Sequence, residues 1–285
     1  PCRKPVRSPP PERGEMTEPT TLTTTPGAAL EAMRPARPLI HCITNFVAMN
    51  IAANTLLAAG ASPAMIHAPE EAGEFARIAA ALTVNIGTLS PLWVEGMKLA
   101  AEGANAAGRP WVLDPVAHFA TTYRSRANAE LLALSPTVIR GNASEIMVLG
   151  GETSATRGAD AADPVAAAEN AARSLALKQA CTVAVTGEID FVTDGTRAVR
   201  IHGGSALMPQ VTALGCSLTC LVGAYAAVLP DAFEATVAAL AHYAVAGENA
   251  AADADGPGSF GWRFLDALAA LTPAELEARA RVEAA

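Results

Sequence analysis

Beyond residue 27 the chain alternates short apolar runs with longer alanine-rich stretches. Short apolar runs bounded by turn residues read as buried strands, and the longer stretches between them as helices. Strands are predicted at Pro63–Ile66, Thr83–Gly87, Trp111–Asp114, Thr137–Gly141 and Thr182–Gly187. Helices are predicted at Met49–Ala59, Pro69–Leu82, Pro91–Ala107, Tyr123–Leu134, Ala143–Leu149 and Asp163–Gln179. Strand, helix and strand at this spacing imply parallel strands joined by right-handed crossovers.

The pattern changes after Gly187. Ile189–Thr193 and Ala198–His202 flank Asp194-Gly195, a strong hairpin signal. Antiparallel strands are therefore expected at one edge of the sheet. Ser217–Val228, Asp231–Ala252 and Trp262–Leu271 complete the predicted helices. Neither an internal repeat nor a linker interrupts Pro38 to Leu271, so residues 28–285 are expected to form one domain. Its class is α/β, with three layers around a mostly parallel sheet. Residues 1–27 are rich in proline, threonine and charge, and are expected to form a disordered tail. Met16 is the expected natural start.

Composition narrows the function. A length of 285 residues suits one large α/β domain. The 51% hydrophobic content allows a sizeable core, and its many alanines imply closely packed helices. A net charge of −8 argues against a nucleic-acid binder, which usually carries a basic face. The five cysteines, Cys2, Cys42, Cys181, Cys216 and Cys220, are odd in number and include no C-x-x-C pair. A reducing cytoplasm is thus expected rather than a disulfide framework or a structural zinc site. No apolar run reaches the roughly 18 residues of a membrane span.

In open α/β sheets, ligands bind beyond the carboxyl ends of the strands. That rule selects His67, Thr88, Asp114, Arg140 to Glu145, and Thr186 to Glu188. Arg140-Gly141-Asn142-Ala143-Ser144-Glu145 follows a strand and opens a helix. Asn142 and Glu145 share a helix face and can hold magnesium through its waters, while Arg140 offers a fork to phosphate oxygens. The same spacing also describes an ordinary capping box. Asp114-Pro115 ends another strand, where a carboxylate can orient phosphates or magnesium-bound water. Thr44-Asn45, with Asn54 on the following helix, suits a small polar heterocycle or plain backbone capping.

Thr212-Ala213-Leu214-Gly215-Cys216-Ser217 precedes an apolar helix. The bare N–H groups of a helix start attract anions. Gly215 permits close backbone approach. Cys216 is expected to feel the helix dipole, which lowers a thiol pKa. No G-x-x-x-x-G-K-[ST] is present, so a P-loop is excluded. His41, His67, His118 and His242 show no metal-ligand spacing.

In order along the chain, several stretches resemble the hydroxyethylthiazole kinases. They are Pro38 to Asn45, Ala53 to Leu57, Gly60 to Met65, Asn85-Ile86-Gly87-Thr88 and Leu113-Asp114-Pro115-Val116. Arg140 to Glu145, Val185-Thr186-Gly187-Glu188, Asp194-Gly195 and Gly256 to Phe260 follow. The resemblance implies a ribokinase-like fold, ATP and magnesium, a thiazole alcohol as acceptor, and a trimer with acceptor sites at subunit contacts. It implies that Met65 and Ala213 meet the acceptor, that Arg140 and Thr186 meet ATP, that Asp114 and Glu145 lie near magnesium and phosphate, and that Cys216 is catalytic. The residues themselves add Asn45 to the acceptor site, Asp114 and Gly215 to the ATP site, and Asn142 beside Glu145 to the metal. One departure stands out: the family usually reads Gly-Thr-Gly-Cys where this chain reads Ala213-Leu214-Gly215-Cys216. If that position needs positive φ, alanine is strained there. Other expectations from the same residues are a different ribokinase-like alcohol kinase, such as a pyrimidine kinase, a non-catalytic thiazole-binding homologue, and a cysteine hydrolase pairing Cys216 with His202.

Overall fold

A computed structural model describes residues 22–151 and 164–285. Residues 1–21, which hold Met16 and most of the expected tail, lie outside the described residues, as does Asp163. Nine strands form one sheet: β1 Leu39–Ile43, β2 Ser62–Ala64, β3 Ala81–Asn85, β4 Trp111–Asp114, β5 Val138–Asn142, β6 Thr182–Thr186, β7 Ile189–Thr193, β8 Ala198–His202 and β9 Arg281–Ala284. Their spatial order is β2-β1-β3-β4-β5-β6-β7-β8-β9. β1 to β6 pair in parallel, and β6 to β9 pair antiparallel.

Alternation along each strand sends side chains to two faces, and both are buried. Ile40, Cys42, Val112, Val138, Ala184 and Val192 point to one core. There they meet α1 (Pro26–Ala36), α2 (Met49–Ala59), α8 (Leu214–Ala226), α9 (Ala232–Ala252) and α10 (Pro257–Ala270). On the opposite face, Leu82, Val84, Trp111 and Leu113 meet α3 (Pro69–Ile78), α4 (Pro91–Ala106) and α5 (Thr122–Leu132). Ile139, Val183, Val185 and Phe191 there meet α6 (Ala143–Leu149) and α7 (Pro164–Gln179). The three layers and the antiparallel edge are those expected.

Local chemistry sets several boundaries. Ser90 caps α4 by accepting the Trp93 N–H, with Pro91 in its first turn. Asp194 Oδ1 accepts the N–H groups of Thr196 and Arg197, and Gly195 takes φ 92°, which closes the β7–β8 hairpin.

The differences from expectation have physical causes. β1 contains His41, a polar residue mid-strand, yet it is fully buried with Nε2 2.7 Å from the Ile66 carbonyl. α3 stops at Ile78 because Ala79 is extended, and two alanines then lead directly into β3. Nothing in Ala79-Ala80-Ala81 signals a break. Residues 22–27 belong to the domain: Leu22 packs on the core, and the N–H groups of Thr23 and Thr24 donate to Glu234. α11 (Pro273–Arg279) and β9 follow the last predicted helix, and β9 adds a mostly exposed, polar outer strand to the hairpin.

Candidate active site

The chain leaves β1 toward β2 on one side and returns with β3 on the other, so the strand order reverses at β1. A crevice is expected beyond the carboxyl ends at such a switch. Asn45 follows β1, Asn85 and Asp114 end β3 and β4 in register, Arg140 lies on β5, and Thr186 ends β6. The start of α8 meets this rim.

One hydrogen-bonded chain links these residues. Asn45 Oδ1 accepts the N–H groups of Val47 and Ala48 at 3.1 and 3.0 Å. Asn45 Nδ2 donates to Asn85 Oδ1 at 2.9 Å and to Cys216 Sγ at 3.3 Å. Asn85 Oδ1 also accepts the Gly87 N–H, and Asn85 Nδ2 donates to Asp114 Oδ2 at 2.7 Å. The Thr219 hydroxyl, one turn after Cys216 on α8, donates to the same oxygen at 2.8 Å. Arg140 Nη1 stands 3.6 Å from it. Asp114 is fully buried, and its Oδ1 has no partner. Burial pushes its carboxyl up to about 6, against the opposing pull of Arg140.

α8 begins with Ala213 in the left-handed region, φ 64°. The first helical bond runs from the Ser217 N–H to the Ala213 carbonyl, so the N–H groups of Leu214, Gly215 and Cys216 precede it. Beside them opens a cavity of about 740 Å³, lined by Arg140, Thr186, Asp190, Gly204, Gly215 and Tyr243 among others. Arg140 donates to the Thr186 hydroxyl, which in turn donates to the Gly141 carbonyl. Asp190 accepts the Gly187 N–H at 2.9 Å, and burial pushes its carboxyl up to about 6.

Cys216 corrects one expectation. Burial, with the Asp114 charge nearby, pushes its thiol up to about 11. Desolvation outweighs the opposing pull of the Asn45 donor and Arg140. The sulfur is a thiol at neutral pH.

Glu145 and Asn142 form a reciprocal capping box: Asn142 Oδ1 accepts the Glu145 N–H, and Glu145 Oε2 accepts the Asn142 N–H. Glu145 Oε1 accepts the Ala117 N–H, so both carboxylate oxygens have partners. Ser144 also donates to Asn142 Oδ1. Among the described residues no group of three or more His, Cys, Asp or Glu side chains is arranged to hold a metal ion. Magnesium in phosphoryl transfer usually needs only one or two carboxylates plus substrate phosphates. The unpartnered Asp114 Oδ1 fits the role of one such carboxylate.

The remaining predicted residues separate. Met65 follows β2, half-buried against the α8-side core, outside the hydrogen-bonded chain. Asn54 bonds Asn50 one turn back on α2. His202 pairs with Glu283 at the sheet edge, so no Cys216–His202 dyad forms. Three site residues have no role assigned to them in sequence. Thr219 is legible as one helical turn from Cys216. Asn85 becomes legible only once β3 and β4 are placed in register. Asp190 reaches the cavity because the β6–β7 turn folds back, which no local motif announces.

The sheet order, the two helical layers and the rim at the carboxyl ends define a ribokinase-like kinase fold. Pyridoxal kinase from Staphylococcus aureus in complex with AMP-PCP and pyridoxal superposes with a TM-score of 0.54. At 16% identity over 74% of this chain and 87% of that one, this is a likeness of fold. A nearer likeness is hydroxyethylthiazole kinase from Pyrococcus horikoshii OT3, with TM-score 0.85 and 40% identity over 91% of this chain and 98% of that one. The hydroxyethylthiazole kinase of Rhizobium johnstonii is 70% identical over 263 residues, 92% of this chain and 98% of that protein. That of Gemmatimonas aurantiaca is 62% identical over 264 residues. The hydroxyethylthiazole kinase family model matches residues 30–274. The chain belongs to the hydroxyethylthiazole kinase family.

Proposed function

We propose that the protein transfers the γ-phosphoryl group of ATP to the hydroxyl of 4-methyl-5-(2-hydroxyethyl)thiazole, with magnesium, in thiamine biosynthesis or salvage. The observation that carries this reading is the convergence of the α8 start, Arg140 and Thr186 on one cavity, with Cys216 on the adjoining turn. Family membership supplies the acceptor.

The alcohol oxygen forms the new bond to phosphorus as the bond to the ADP oxygen breaks. Because the transition state is largely dissociative, positioning and charge neutralisation dominate. The N–H groups of Leu214, Gly215 and Cys216 and the Arg140 fork hold the charged phosphoryl oxygens. Thr186 fixes the fork by accepting from it. Asp114 and Glu145 would hold magnesium bound with the nucleotide, and its charge would offset that of the phosphates. Cys216 receives the acceptor hydroxyl at its sulfur. With its thiol held up to about 11, the sulfur already carries its proton at neutral pH, so Cys216 orients the hydroxyl and the hydroxyl proton passes to an oxygen of the transferred phosphoryl group. Met65 and Ala213 flank the heterocycle.

A homotrimer with the acceptor site at subunit contacts fits the exposed Phe46 and Val47 beside that site. The free thiols of Cys42, Cys181, Cys216 and Cys220 fit the cytoplasm. The test is ADP release with the thiazole alcohol, with and without magnesium, beside pyridoxal and a hydroxymethylpyrimidine. Faster turnover of another alcohol, or magnesium-independent turnover, would overturn the assignment.

A further inference from the structure

Asn45 looks at first like a ligand for the heterocycle. Its hydrogen bonds place it elsewhere. The carbonyl end of its amide is fixed by two backbone donors, the N–H groups of Val47 and Ala48. A carbonyl accepts and an amide nitrogen only donates, so Nδ2 must face away from those N–H groups. It faces two acceptors, Asn85 Oδ1 and Cys216 Sγ. Asn85 is fixed in the same way, since its Oδ1 also accepts the Gly87 N–H and its Nδ2 donates to Asp114. The backbone thus sets the direction of both amides, and neither can flip without losing a bond at each end. Both Nδ2 hydrogens of Asn45 are used, one on Asn85 and one on the sulfur. Only 6% of Asn45 is exposed, so it has little surface to offer a substrate.

We propose that Asn45 is a positioning residue that acts through Cys216, holding the sulfur toward the acceptor hydroxyl, and is not itself a ligand of the heterocycle. A donor placed on one lone pair of the sulfur fixes its rotamer. It leaves the remaining lone pair and the S–H for the alcohol. The anchor is the backbone turn after β1, so the order of that turn passes directly to the catalytic sulfur.

The inference rests on Cys216 serving the transfer, and the experiment keeps the two apart. Asn45→Asp retains an acceptor for the Val47 and Ala48 N–H groups and removes both Nδ2 donors. Asn45→Ser keeps a shorter acceptor for the same turn, without added charge and without reach to the sulfur. Each is assayed for kcat and for KM of the thiazole alcohol. Each is also treated with iodoacetamide at one fixed pH, and alkylation of the Cys216 peptide is followed by mass spectrometry. Alkylation needs no turnover. In both variants kcat is expected to fall by about tenfold or more, with KM for the alcohol within about threefold of the wild type. Cys216 alkylation is expected to slow at least about threefold in Asn45→Asp, where a carboxylate replaces the donor. A large rise in KM at unchanged kcat, or unchanged alkylation in Asn45→Asp, would overturn the inference. A Cys216→Ala protein as active as the wild type would overturn the role of Cys216 instead.

Discussion

The Arg140 guanidinium passes so close to Gly215 that a Cβ atom there would stand 3.2 Å from both of its terminal nitrogens. Such a contact is tight, and the side-chain tip would shift before the helix did. Gly215→Ala also places a better helix former in the first turn of α8. Stability is therefore expected to hold or rise slightly, while KM for ATP rises several-fold as the fork moves. Thermal melting and nucleotide titration on one preparation separate the two effects. An unchanged KM would show that the fork does not touch the nucleotide.

Arg140 and Cys216 differ in what they supply. Arg140 brings a permanent charge to a site where phosphoryl charge must be held, and losing one such donor typically costs about 10²–10³-fold in kcat. Cys216 brings a sulfur that is a thiol at neutral pH. Cys216→Ala is expected to be impaired yet measurable, and Arg140→Ala to lose more in kcat/KM. Arg140→Ala also strands the buried Asp114 carboxylate, so Arg140→Gln and Arg140→Lys belong in the same series. Steady-state kinetics with the reverse ranking would move the main catalytic burden to the sulfur.

Much of this site is written in short stretches, and the failures are instructive. The rule that ligands sit beyond strand ends finds Asp114, Arg140 and Thr186 because each follows a buried apolar run. It cannot show that Asn85 and Asp114 are neighbours, which depends on the β3–β4 register. Asn142 and Glu145 satisfied two readings at once, and only the Ala117 N–H on the second carboxylate oxygen shows how fully the cap occupies Glu145. The Cys216 shift ran against the helix-start expectation because burial is a tertiary property. β1 escaped the strand pattern for a related reason: the carbonyl that satisfies His41 belongs to Ile66, 25 residues away. β9 is exposed and polar, so its pairing with β8 leaves no hydrophobic signature.

Asp114 and Asp190 give the protein an unusual acid response. Burial holds both carboxyls near 6, above the ordinary value of 3.8. A group with a raised folded pKa contributes stability that is complete below the unfolded value and is lost as pH rises through the folded one. These two therefore weaken the fold between about pH 4 and 6 as they ionise. Asp190→Asn keeps an acceptor for the Gly187 N–H and removes the charge of this half-buried carboxylate. Its melting temperature is expected to exceed that of the wild type by a few degrees at pH 7, and the gap to close toward pH 4. Activity runs the other way, because protonation takes the negative charge from Asp114: kcat/KM for ATP is expected to fall as pH drops through about 6. An acid limb near 4 would show that Asp114 does not titrate as its burial dictates.

Ala213 carries the departure from the family's usual glycine, and its φ of 64° shows what the substitution costs. The left-handed region crowds Cβ against the following carbonyl, by roughly 1–2 kcal/mol for an L-residue. Glycine escapes that crowding but loses about 0.4–1 kcal/mol through the freedom of its unfolded chain. Ala213→Gly should therefore be neutral to about 1 kcal/mol more stable, a rise of up to about 2–4 °C in melting temperature for a domain of this size. Ala213→Val should fall well below the wild type, since a β-branched residue is a genuine outlier at positive φ. The N–H groups of Leu214, Gly215 and Cys216 survive either change, provided the helix start keeps its shape. Ala213→Gly is then expected to match or exceed wild-type kcat, and Ala213→Val to lose activity and stability together. Equal melting of the valine variant and the wild type would mean that the start of α8 does not require this conformation, and with it the strained entry to the anion site would fall.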